Sequence, residues 1–455
     1  MKKNNLKILL LIVLIITSII QTSVLWLGDM PSHNFLESTS AQVGPILPEN
    51  IFRNKGDPFT VSYRIDEGSG EYERFVKELS GMLAKYSKTA KLSLVEPLDW
   101  DSILAMQGVL YEYTIPVSLD ELATTKVGID EVGFINNVFL TLEDSIGNKA
   151  KLYLINETDD LCYKLDITGE FLDLVKLYNG FNIEEVGDSM TKYQPSTKAM
   201  NISRYIEGNV FMPLTSETVP LEYEVLRLIN PVDVYEDNKQ IVLDKYTSEL
   251  FNKPILKEIE YREDGSVVFT ESMKSMVIYR PTGVIEYINL DVTRGDKVMS
   301  MLEGYNIATA FIQNSSTIPE TTRDRLYLTD ITQVDKEYTF NFDLKYNGYK
   351  IIVSPSVKEE LGLNHMVELT IKDGQIIGGK WSIRELQSIS SYEEISMKEI
   401  KIGYGDPINK MYAGLQEGQE TPLLEDIATV YEVQELDKEI EMKWGVFYDE
   451  MWYYP

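Results

Sequence analysis

The side chains that could perform chemistry are few in this sequence. It contains two histidines, His33 and His365, and a single cysteine, Cys162, and it has no H-E-x-x-H motif. Two isolated histidines do not make a zinc site, which needs three or four ligands at suitable spacing. We predict that His365 is a surface or turn residue, and that Cys162 is a buried structural thiol rather than a nucleophile.

One short pattern matches the nucleophile motif S-x-x-K of the penicillin-recognising enzymes, at Ser189–Lys192. Those enzymes also need a K-T-G strand, which this sequence lacks, and the match lies in the polar stretch 187–204. The sequence has no G-x-S-x-G, Walker A or EF-hand pattern either. We therefore predict no catalytic residue, no metal and no cofactor, and we expect that the protein is not an enzyme.

Composition restricts the class of protein further. The chain has 455 residues, of which 44% are hydrophobic, so it is long enough to form several packed domains. Its formal net charge of −29 argues against nucleic-acid binding, which needs a basic surface. A single cysteine excludes a domain built on disulfides, and in a cell-surface protein of this length it is typical of Gram-positive bacteria.

An apolar run extends from Ile8 to Leu27. As a helix its 20 residues would span roughly 30 Å, the thickness of the hydrocarbon core of a membrane. A cleaved signal peptide has a shorter apolar region followed at once by a small-residue site, whereas the first candidate site here is Thr39-Ser40-Ala41. The run therefore predicts an uncleaved membrane anchor.

The residues that flank this run predict its orientation. Lys2, Lys3 and Lys7 precede it and Asp29 follows it, and lysines next to a membrane helix stay on the cytoplasmic side. We expect Lys7 and Trp26 to lie at the two membrane interfaces. The prediction is a single-pass cell-membrane protein with a cytoplasmic N-terminus and with most of the chain outside the cell.

Ser18, Gln21 and Thr22 interrupt the apolar run at helical spacing, so they share one face of the predicted helix. In a membrane such residues form hydrogen bonds to a neighbouring helix, and the small ones allow close approach. The alternative is that Ser18 and Thr22 only bond the carbonyls of their own helix. The amide of Gln21 favours the first interpretation, because its own backbone cannot satisfy it.

Hydrophobic periodicity indicates an α+β fold in the remainder. Apolar residues recur at helical spacing in Gly70–Tyr86, and a second helix is expected over 169–181 and a third over 296–312. Alternating strands are expected on both sides of tight turns. The turn pairs are Gly147-Asn148, Asp264-Gly265, Thr282-Gly283, Asn347-Gly348 and Asp373-Gly374, and those at Asp264-Gly265 and Thr282-Gly283 predict a three-stranded meander.

These patterns divide the chain into an N-terminal transmembrane helix and a multidomain ectodomain of antiparallel sheets with packed helices. Residues 1–28 form the cytoplasmic stub and the anchor, and residues 29–57 form a tether. We predict three α+β domains, at residues 58–195, 196–298 and 299–455.

Three stretches together resemble the YycH family of membrane-anchored proteins from low-GC Gram-positive bacteria. They are "IITSIIQTSVLWLG", "WDSILAMQGVLYEYTIPVSLDEL" and "SELFNKPILKEIEYREDGSVVFTESMKSMVIYRPTGVIEY". The resemblance is weakest at the C-terminal end, "YDEMWYYP".

The resemblance implies a function in signal transduction and cell-wall homeostasis. It implies no enzymatic activity, and it implies that the protein regulates a sensor histidine kinase (YycG, also called WalK) of a two-component system together with a YycI-like protein. These proteins would contact one another through their transmembrane helices. In this chain the predicted contact residues are then Ser18, Gln21 and Thr22.

A second class of function stays open at this point. The protein could be a membrane-tethered extracellular receptor that binds a ligand and has no kinase partner. A concave pocket lined by several of the 28 tyrosines would favour this alternative.

Overall fold

The computed structural model shows an α+β protein made mostly of antiparallel strands. The residues that the structure describes are 44–54, 56, 62–65, 69–95, 100–142, 149–156, 159, 161–179, 192–195, 211–214, 221–272, 274–289, 299–391, 394–395, 397–400, 408–409, 413, 426–448 and 451–454. Within these residues, no helix combines the length and the apolar character needed to cross a lipid bilayer.

The first sheet is antiparallel throughout and comes from the N-terminal part of the described chain. Its order is β3-β7-β6-β5-β4-β1-β2-β8-β9. The strands are β1 (Asn50–Asn54), β2 (Ser62–Ile65), β3 (Lys91–Val95), β4 (Gly108–Ser118), β5 (Phe134–Leu142), β6 (Lys149–Asn156), β7 (Leu161–Thr168), β8 (Lys192–Pro195) and β9 (Phe211–Leu214).

The second sheet contains most of the later strands, in the order β12-β13-β14-β15-β20-β19-β17-β18-β25-β26-β11-β21, with β16 beside β17 and β27 beside β26. Pairs β10-β24 and β22-β23 form separate ribbons. The strands are β10 (Leu221–Glu224), β11 (Leu226–Ile229), β12 (Glu258–Tyr261), β13 (Val267–Glu271), β14 (Ser275–Arg280), β15 (Val284–Asn289), β16 (Leu326–Val334), β17 (Glu337–Tyr346), β18 (Tyr349–Val353), β19 (Val367–Lys372), β20 (Gln375–Ser382), β21 (Glu385–Ser388), β22 (Ser390–Ser391), β23 (Glu394–Ile395), β24 (Met397–Ile400), β25 (Asp426–Val433), β26 (Glu439–Tyr448) and β27 (Met451–Tyr453).

Helices cover parts of both sheets. They are α1 (Gly70–Tyr86), α2 (Trp100–Leu104), α3 (Leu119–Ala123), α4 (Leu172–Asn179), α5 (Pro231–Val234), α6 (Lys239–Thr247), α7 (Met301–Asn314), α8 (Glu320–Arg323) and α9 (Pro355–Leu361). Single 3₁₀ turns lie at Ser87–Thr89, Asp130–Val132, Glu236–Asn238, Ser248–Leu250 and Pro254–Leu256.

The first predicted helix is confirmed at both ends. The hydroxyl of Ser69 accepts a hydrogen bond from the backbone N–H of Tyr72 at 3.1 Å, which satisfies one amide of the first turn. The buried face of α1 contains Phe75 and Leu83, and the hydroxyl of Tyr111 in β4 donates to the carbonyl of Phe75 at 3.2 Å. This bond and the apolar face attach α1 to the first sheet.

The third predicted helix begins later than the pattern indicated. Residues 299 and 300 are not helical, and α7 starts at Met301. Ser300 and Glu303 form a reciprocal capping box, with Glu303 N to Ser300 Oγ at 3.2 Å and Ser300 N to Glu303 Oε2 at 3.0 Å. The helix begins here because the capping box satisfies backbone amides of its first turn, which have no partner within the helix.

The predicted hairpin turns at Asn347-Gly348 and Asp373-Gly374 are confirmed. Both central residues of each turn have positive φ, with 50° and 77° at Asn347-Gly348 and 51° and 83° at Asp373-Gly374. This is the backbone that a two-residue hairpin needs to match the twist of its strands.

The predicted meander and its turns at Asp264-Gly265 and Thr282-Gly283 are present, but the meander has four strands, β12 to β15, instead of three. An additional turn separates β13 from β14, where Ser272 has φ 45° and Lys274 N donates to Glu271 O at 2.7 Å. A residue other than glycine occupies the left-handed position here, so the usual turn signal was missing.

Two strands lie in segments that the sequence indicated as irregular. β1 lies inside the predicted tether 29–57, and β8 lies inside the polar stretch 187–204 and pairs with β2. The second sheet also crosses the predicted boundary at residue 298, because Ile285 of β15 pairs with Trp381 of β20. The division into three domains stays a prediction.

Candidate functional site

The predicted membrane residues lie outside the described residues. These are Lys7, Ser18, Gln21, Thr22 and Trp26. The contact face on a transmembrane helix and the interfacial positions therefore stay predictions.

The potentially reactive residues outside the predicted anchor contribute to the packing and hydrogen bonding of the fold. Cys162 of β7 is buried in a hydrophobic cluster with Phe139 and Ile155, and this burial raises the pKa of its thiol to about 11. The prediction of a buried structural thiol is therefore confirmed. Ser189 of the S-x-x-K match is outside the described residues, and Lys192 begins β8.

His365 lies in a turn, as expected, and it is half-buried beside two polar side chains. Its Nδ1 atom is 2.8 Å from Asp343 Oδ2 and 3.3 Å from Thr329 Oγ1. A nucleophilic triad needs the acid and the nucleophile on different ring nitrogens, whereas both neighbours here approach Nδ1. Among the described residues, no group of three or more potential metal-binding side chains is assembled. These bonds connect the turn before β19 to β16 and β17.

A cluster of charged side chains lies where the two sheets meet, with Lys345 buried and the other members partly buried. We call it the charged junction, and it consists of Glu49, Arg64, Lys345, Lys350 and Asp426. Glu49 and Arg64 belong to the first sheet and its leading segment, and the other three belong to β17, β18 and β25 of the second sheet. It is therefore one of the places where the described N-terminal and C-terminal parts are held together.

Glu49 reaches this position because the segment before β1 is fixed at several points. The backbone N–H of Gly44 donates to Asn306 Oδ1 at 2.8 Å, and the hydroxyl of Tyr72 donates to the carbonyl of Pro48 at 2.5 Å. Glu49 N then donates to Glu112 O in β4 at 2.7 Å. These bonds connect the segment to helix α7, to helix α1 and to the first sheet.

The two lysines are brought together by the hairpin at Asn347-Gly348. Lys345 and Lys350 are directly opposite each other in the β17–β18 register, so their side chains lie on the same face. Like charges in such a pair repel and destabilise a sheet. The site therefore needs a negative group between them.

Glu49 supplies this charge. Its Oε1 is 3.0 Å from Lys350 Nζ and 3.8 Å from Lys345 Nζ, and its Oε2 accepts from Thr114 Oγ1 at 3.2 Å. Lys345 Nζ also donates to the backbone carbonyl of Glu49 at 2.9 Å. Asp426 Oδ2 lies 3.4 Å from Lys350 Nζ. Two anions and two cations thus form one compact network.

Burial and charge act in opposite directions on this network. Burial alone would raise the pKa of Glu49, but the charges of Lys350 and Lys345 outweigh it and lower the pKa to about 2. Burial and the charge of Glu49 raise the pKa of Asp426, although Lys350 opposes them. Burial would lower the pKa of Lys350, but Glu49 and Asp426 raise it well above its usual value.

Arg64 of β2 completes the junction at the hairpin tip. Its Nη1 donates to the carbonyl of Gly348 at 2.7 Å, and its guanidinium lies 5.0 Å from the ring centre of Tyr349 and 5.6 Å from that of Tyr193. A Cβ atom on Gly348 would lie 2.6 Å from Arg64 Nη2. The positive φ favours glycine there, and a side chain at this position would also displace the guanidinium of Arg64.

A cavity of about 90 Å³ lies next to the junction and is lined by Leu47, Glu49, Tyr305, Gln313, Arg323 and Tyr327, among others. Typical ligand pockets measure roughly 300–1,000 Å³. The largest fully buried tyrosines instead pack in the hydrophobic cores (Tyr111, Tyr246, Tyr279, Tyr287 and Tyr431). These five tyrosines therefore have structural positions in the hydrophobic cores.

Comparison with known proteins identifies a solved structure with a similar fold. No family model matches the sequence, and no curated protein matches it. The structure superposes on YycH from Bacillus subtilis with a TM-score of 0.55 and 13% identity, over 92% of this chain and 98% of the other. The chain has a YycH-like fold. The YycH resemblance of the sequence is therefore confirmed at the level of the fold.

A second solved structure is less similar to this chain. It is an uncharacterized protein from Eubacterium rectale ATCC 33656, with a TM-score of 0.35 and 15% identity, over 53% of this chain and 81% of the other. We base no conclusion on this likeness.

Sequence reasoning did not identify the charged junction. With 72 acidic residues in the chain, no single glutamate or aspartate stands out. One signal was present in the segment "KYNGYK", where the two lysines are symmetric about an Asn-Gly turn. A two-residue turn places them opposite each other, so this pattern predicts a pair of like charges that needs an acidic partner.

Proposed function

We propose that this protein is a membrane-anchored extracellular accessory protein that regulates a sensor histidine kinase of a cell-wall two-component system. The observation that carries the proposal is the YycH-like fold, which extends over 92% of the chain. The apolar run of 20 residues before the fold supports it, because an ectodomain that acts on a membrane kinase needs an anchor.

The contact with the kinase is made in the membrane. Ser18, Gln21 and Thr22 form one polar face on the anchor and bond the helices of a YycG/WalK-like kinase and of a YycI-like protein. Lys7 and Trp26 set the depth of the anchor at the two interfaces. The N-terminus lies in the cytoplasm and the folded part lies outside the cell.

The charged junction gives the ectodomain its role in this proposal. The chain that leaves the anchor enters the described structure at Gly44 and reaches the junction at Glu49. A force or a binding event that shifts one sheet against the other would move the segment that leads to the anchor. The junction thus connects the arrangement of the sheets to the membrane helix.

The test is a bacterial two-hybrid assay with the full-length chain and the full-length kinase. We expect the Ser18→Leu/Gln21→Leu variant to reduce the interaction signal to background, because leucine removes the hydrogen-bonding groups and keeps the anchor apolar. Ser23→Leu is the matched control, since Ser23 lies on another face of the helix and the same polar group is removed.

Equal signals from wild type, the double variant and Ser23→Leu would disprove the contact through the polar face. No signal from the wild-type chain, with correct membrane insertion shown by a topology reporter, would disprove the kinase partnership itself.

A further inference from the structure

One edge of the second sheet carries no further strand among the residues that the structure describes. Strand β12 is the terminal strand in the sheet order, and among the described strands it pairs only with β13. Its four residues, Glu258–Tyr261, are all exposed. An edge strand presents N–H and C=O groups to solvent, and natural proteins usually cover or protect such an edge.

The two faces of this edge differ in chemistry. Ile259 and Tyr261 lie opposite the buried Phe269 and Val267 of β13, so they continue the apolar face of the sheet beyond its covered part. Tyr261 is 63% exposed and Ile259 39%. The apolar face of the sheet is therefore exposed to solvent at this edge.

Helix α6 and the turn before β12 carry further exposed apolar residues. The hydroxyl of Tyr261 donates to Gln240 Oε1 at 2.5 Å, so this side chain of the strand reaches helix α6. Ile241 of this helix is 69% exposed, and Ile255 of the preceding 3₁₀ turn is 86% exposed. Such a group of large exposed apolar residues beside an open edge is typical of an interaction site.

Glu258 and Glu260 occupy the other face. They alternate with Ile259 and Tyr261, so both carboxylates lie on one side of the strand. Glu260 Oε1 lies 3.5 Å from Arg262 Nε, at an exposed position. A strand added at this edge would meet Glu258 and the Glu260–Arg262 ion pair on one face and an apolar row on the other.

We propose that β12 is a docking edge for an extended segment of another polypeptide in which basic side chains alternate with apolar ones. The segment would add an antiparallel strand, with its basic residues opposite Glu258 and Glu260 and its apolar residues on Ile259 and Tyr261. Main-chain hydrogen bonds hold such a strand and the alternating side chains select it. The proposal is independent of contacts within the membrane.

A second copy of this chain does not fit the edge. In a continuous sheet of two copies, Glu258 and Glu260 would lie on the same face as the same residues of the other copy, and opposed like charges are destabilising. The net charge of −29 adds to the repulsion between copies. The occupant is therefore a basic partner.

The test measures binding of a fluorescent six-residue peptide of alternating lysine and valine to the full-length protein in nanodiscs, by anisotropy. We expect Glu258→Lys/Glu260→Lys to weaken binding at least tenfold. Glu359→Lys/Glu360→Lys is the matched control, because it changes the net charge equally at exposed positions in α9, and it should change affinity less than twofold.

Two further peptides separate strand addition from attraction by charge. A peptide with the same sequence but N-methyl groups on alternate amides, and one with three lysines followed by three valines, should each bind at least tenfold more weakly. Equal binding of these peptides, or equal loss in both double variants, would overturn the proposal.

A second readout locates the peptide. Cys162 is buried and reacts slowly, so alkylation of the variant Ile259→Cys reports on the new cysteine in β12. The alternating peptide should slow this alkylation at least fivefold. The thiol of Val334→Cys, at an exposed position in another strand, should react equally with and without the peptide. No measurable binding of the alternating peptide would mean that the two glutamates only protect the edge, and the proposal would be wrong.

Discussion

Lys350 Nζ lies 3.0 Å from Glu49 Oε1, and this ion pair joins strand β18 of the second sheet to the segment that leads into the first. Lys345 lies on the other side of the same carboxylate, directly opposite Lys350 in the hairpin. The carboxylate thus balances two lysines that would repel each other without it. The stability of the junction therefore depends on the charge of Glu49.

Removal of that charge should destabilise the protein. We expect Glu49→Gln to lower the free energy of unfolding by about 2–4 kcal/mol, because Lys345 and Lys350 lose the carboxylate that they share. Urea unfolding followed by tryptophan fluorescence measures the change. Asp173→Asn, which breaks the exposed pair with Lys176, is the control and should cost less than about 0.5 kcal/mol.

The second member of the pair gives a check on this explanation. If the cost comes from an uncompensated charge, Glu49→Gln/Lys350→Met should be less destabilised than the sum of the two single variants. Additive costs would contradict a coupled charge network.

The free energy of unfolding should decrease at acid pH, because Glu49 becomes protonated. Its pKa is lowered in the folded protein from 4.5 to about 2, so its charge contributes stability that is complete above pH 4.5. This stability, at most about 3 kcal/mol, is lost as the pH falls from 4.5 toward 2. Asp426, whose pKa is raised, acts with the opposite sign, because its protonation favours the folded state.

We expect the urea midpoint of the wild type to fall more steeply between pH 4.5 and pH 2 than that of Glu49→Gln. Parallel curves for the two proteins would show that Glu49 does not carry the acid sensitivity.

The hairpin tip allows a comparison between two similar turns. Gly348 and Gly374 both follow a residue with positive φ, and their own φ values are 77° and 83°. A Cβ atom on Gly348 would meet the guanidinium of Arg64 at 2.6 Å, whereas one on Gly374 would meet nothing within 4 Å. Alanine at either position costs roughly 1–2 kcal/mol because its Cβ crowds the following carbonyl in the left-handed region.

We therefore expect Gly348→Ala to be more destabilising than Gly374→Ala by about 1 kcal/mol, the value of one hydrogen bond. Thermal unfolding of both variants measures the difference. Equal effects would mean that the Arg64 contact contributes nothing to the junction.

The single cysteine should report on unfolding of the first sheet. Cys162 is buried in β7 and its pKa is raised to about 11, so its thiol is protected and protonated at pH 8. We expect alkylation of the native protein at pH 8 to be at least a hundredfold slower than in 6 M guanidinium chloride. A native rate within tenfold of the denatured rate would contradict the buried position.

Local patterns in the sequence were sufficient for many elements. Helix α1 has the bounds that its periodicity predicts, and the hairpins at Asn347-Gly348 and Asp373-Gly374 follow from dipeptides that favour positive φ. Such features are decided by residues within one or two turns of each other. The turn at Ser272 was missed because a serine occupies its left-handed position, where glycine is the usual signal.

The sequence alone thus determined the α+β class, the amphipathic helix α1, the tight turns and the buried character of Cys162, since each depends on neighbours along the chain. Only the tertiary structure decided that Glu49 lies between Lys345 and Lys350, that Arg64 reaches Gly348, and that β12 remains at an open edge. These contacts join residues that are hundreds of positions apart, as with the 284 between Arg64 and Gly348. Their positions follow from how the two sheets pack, which no local pattern encodes.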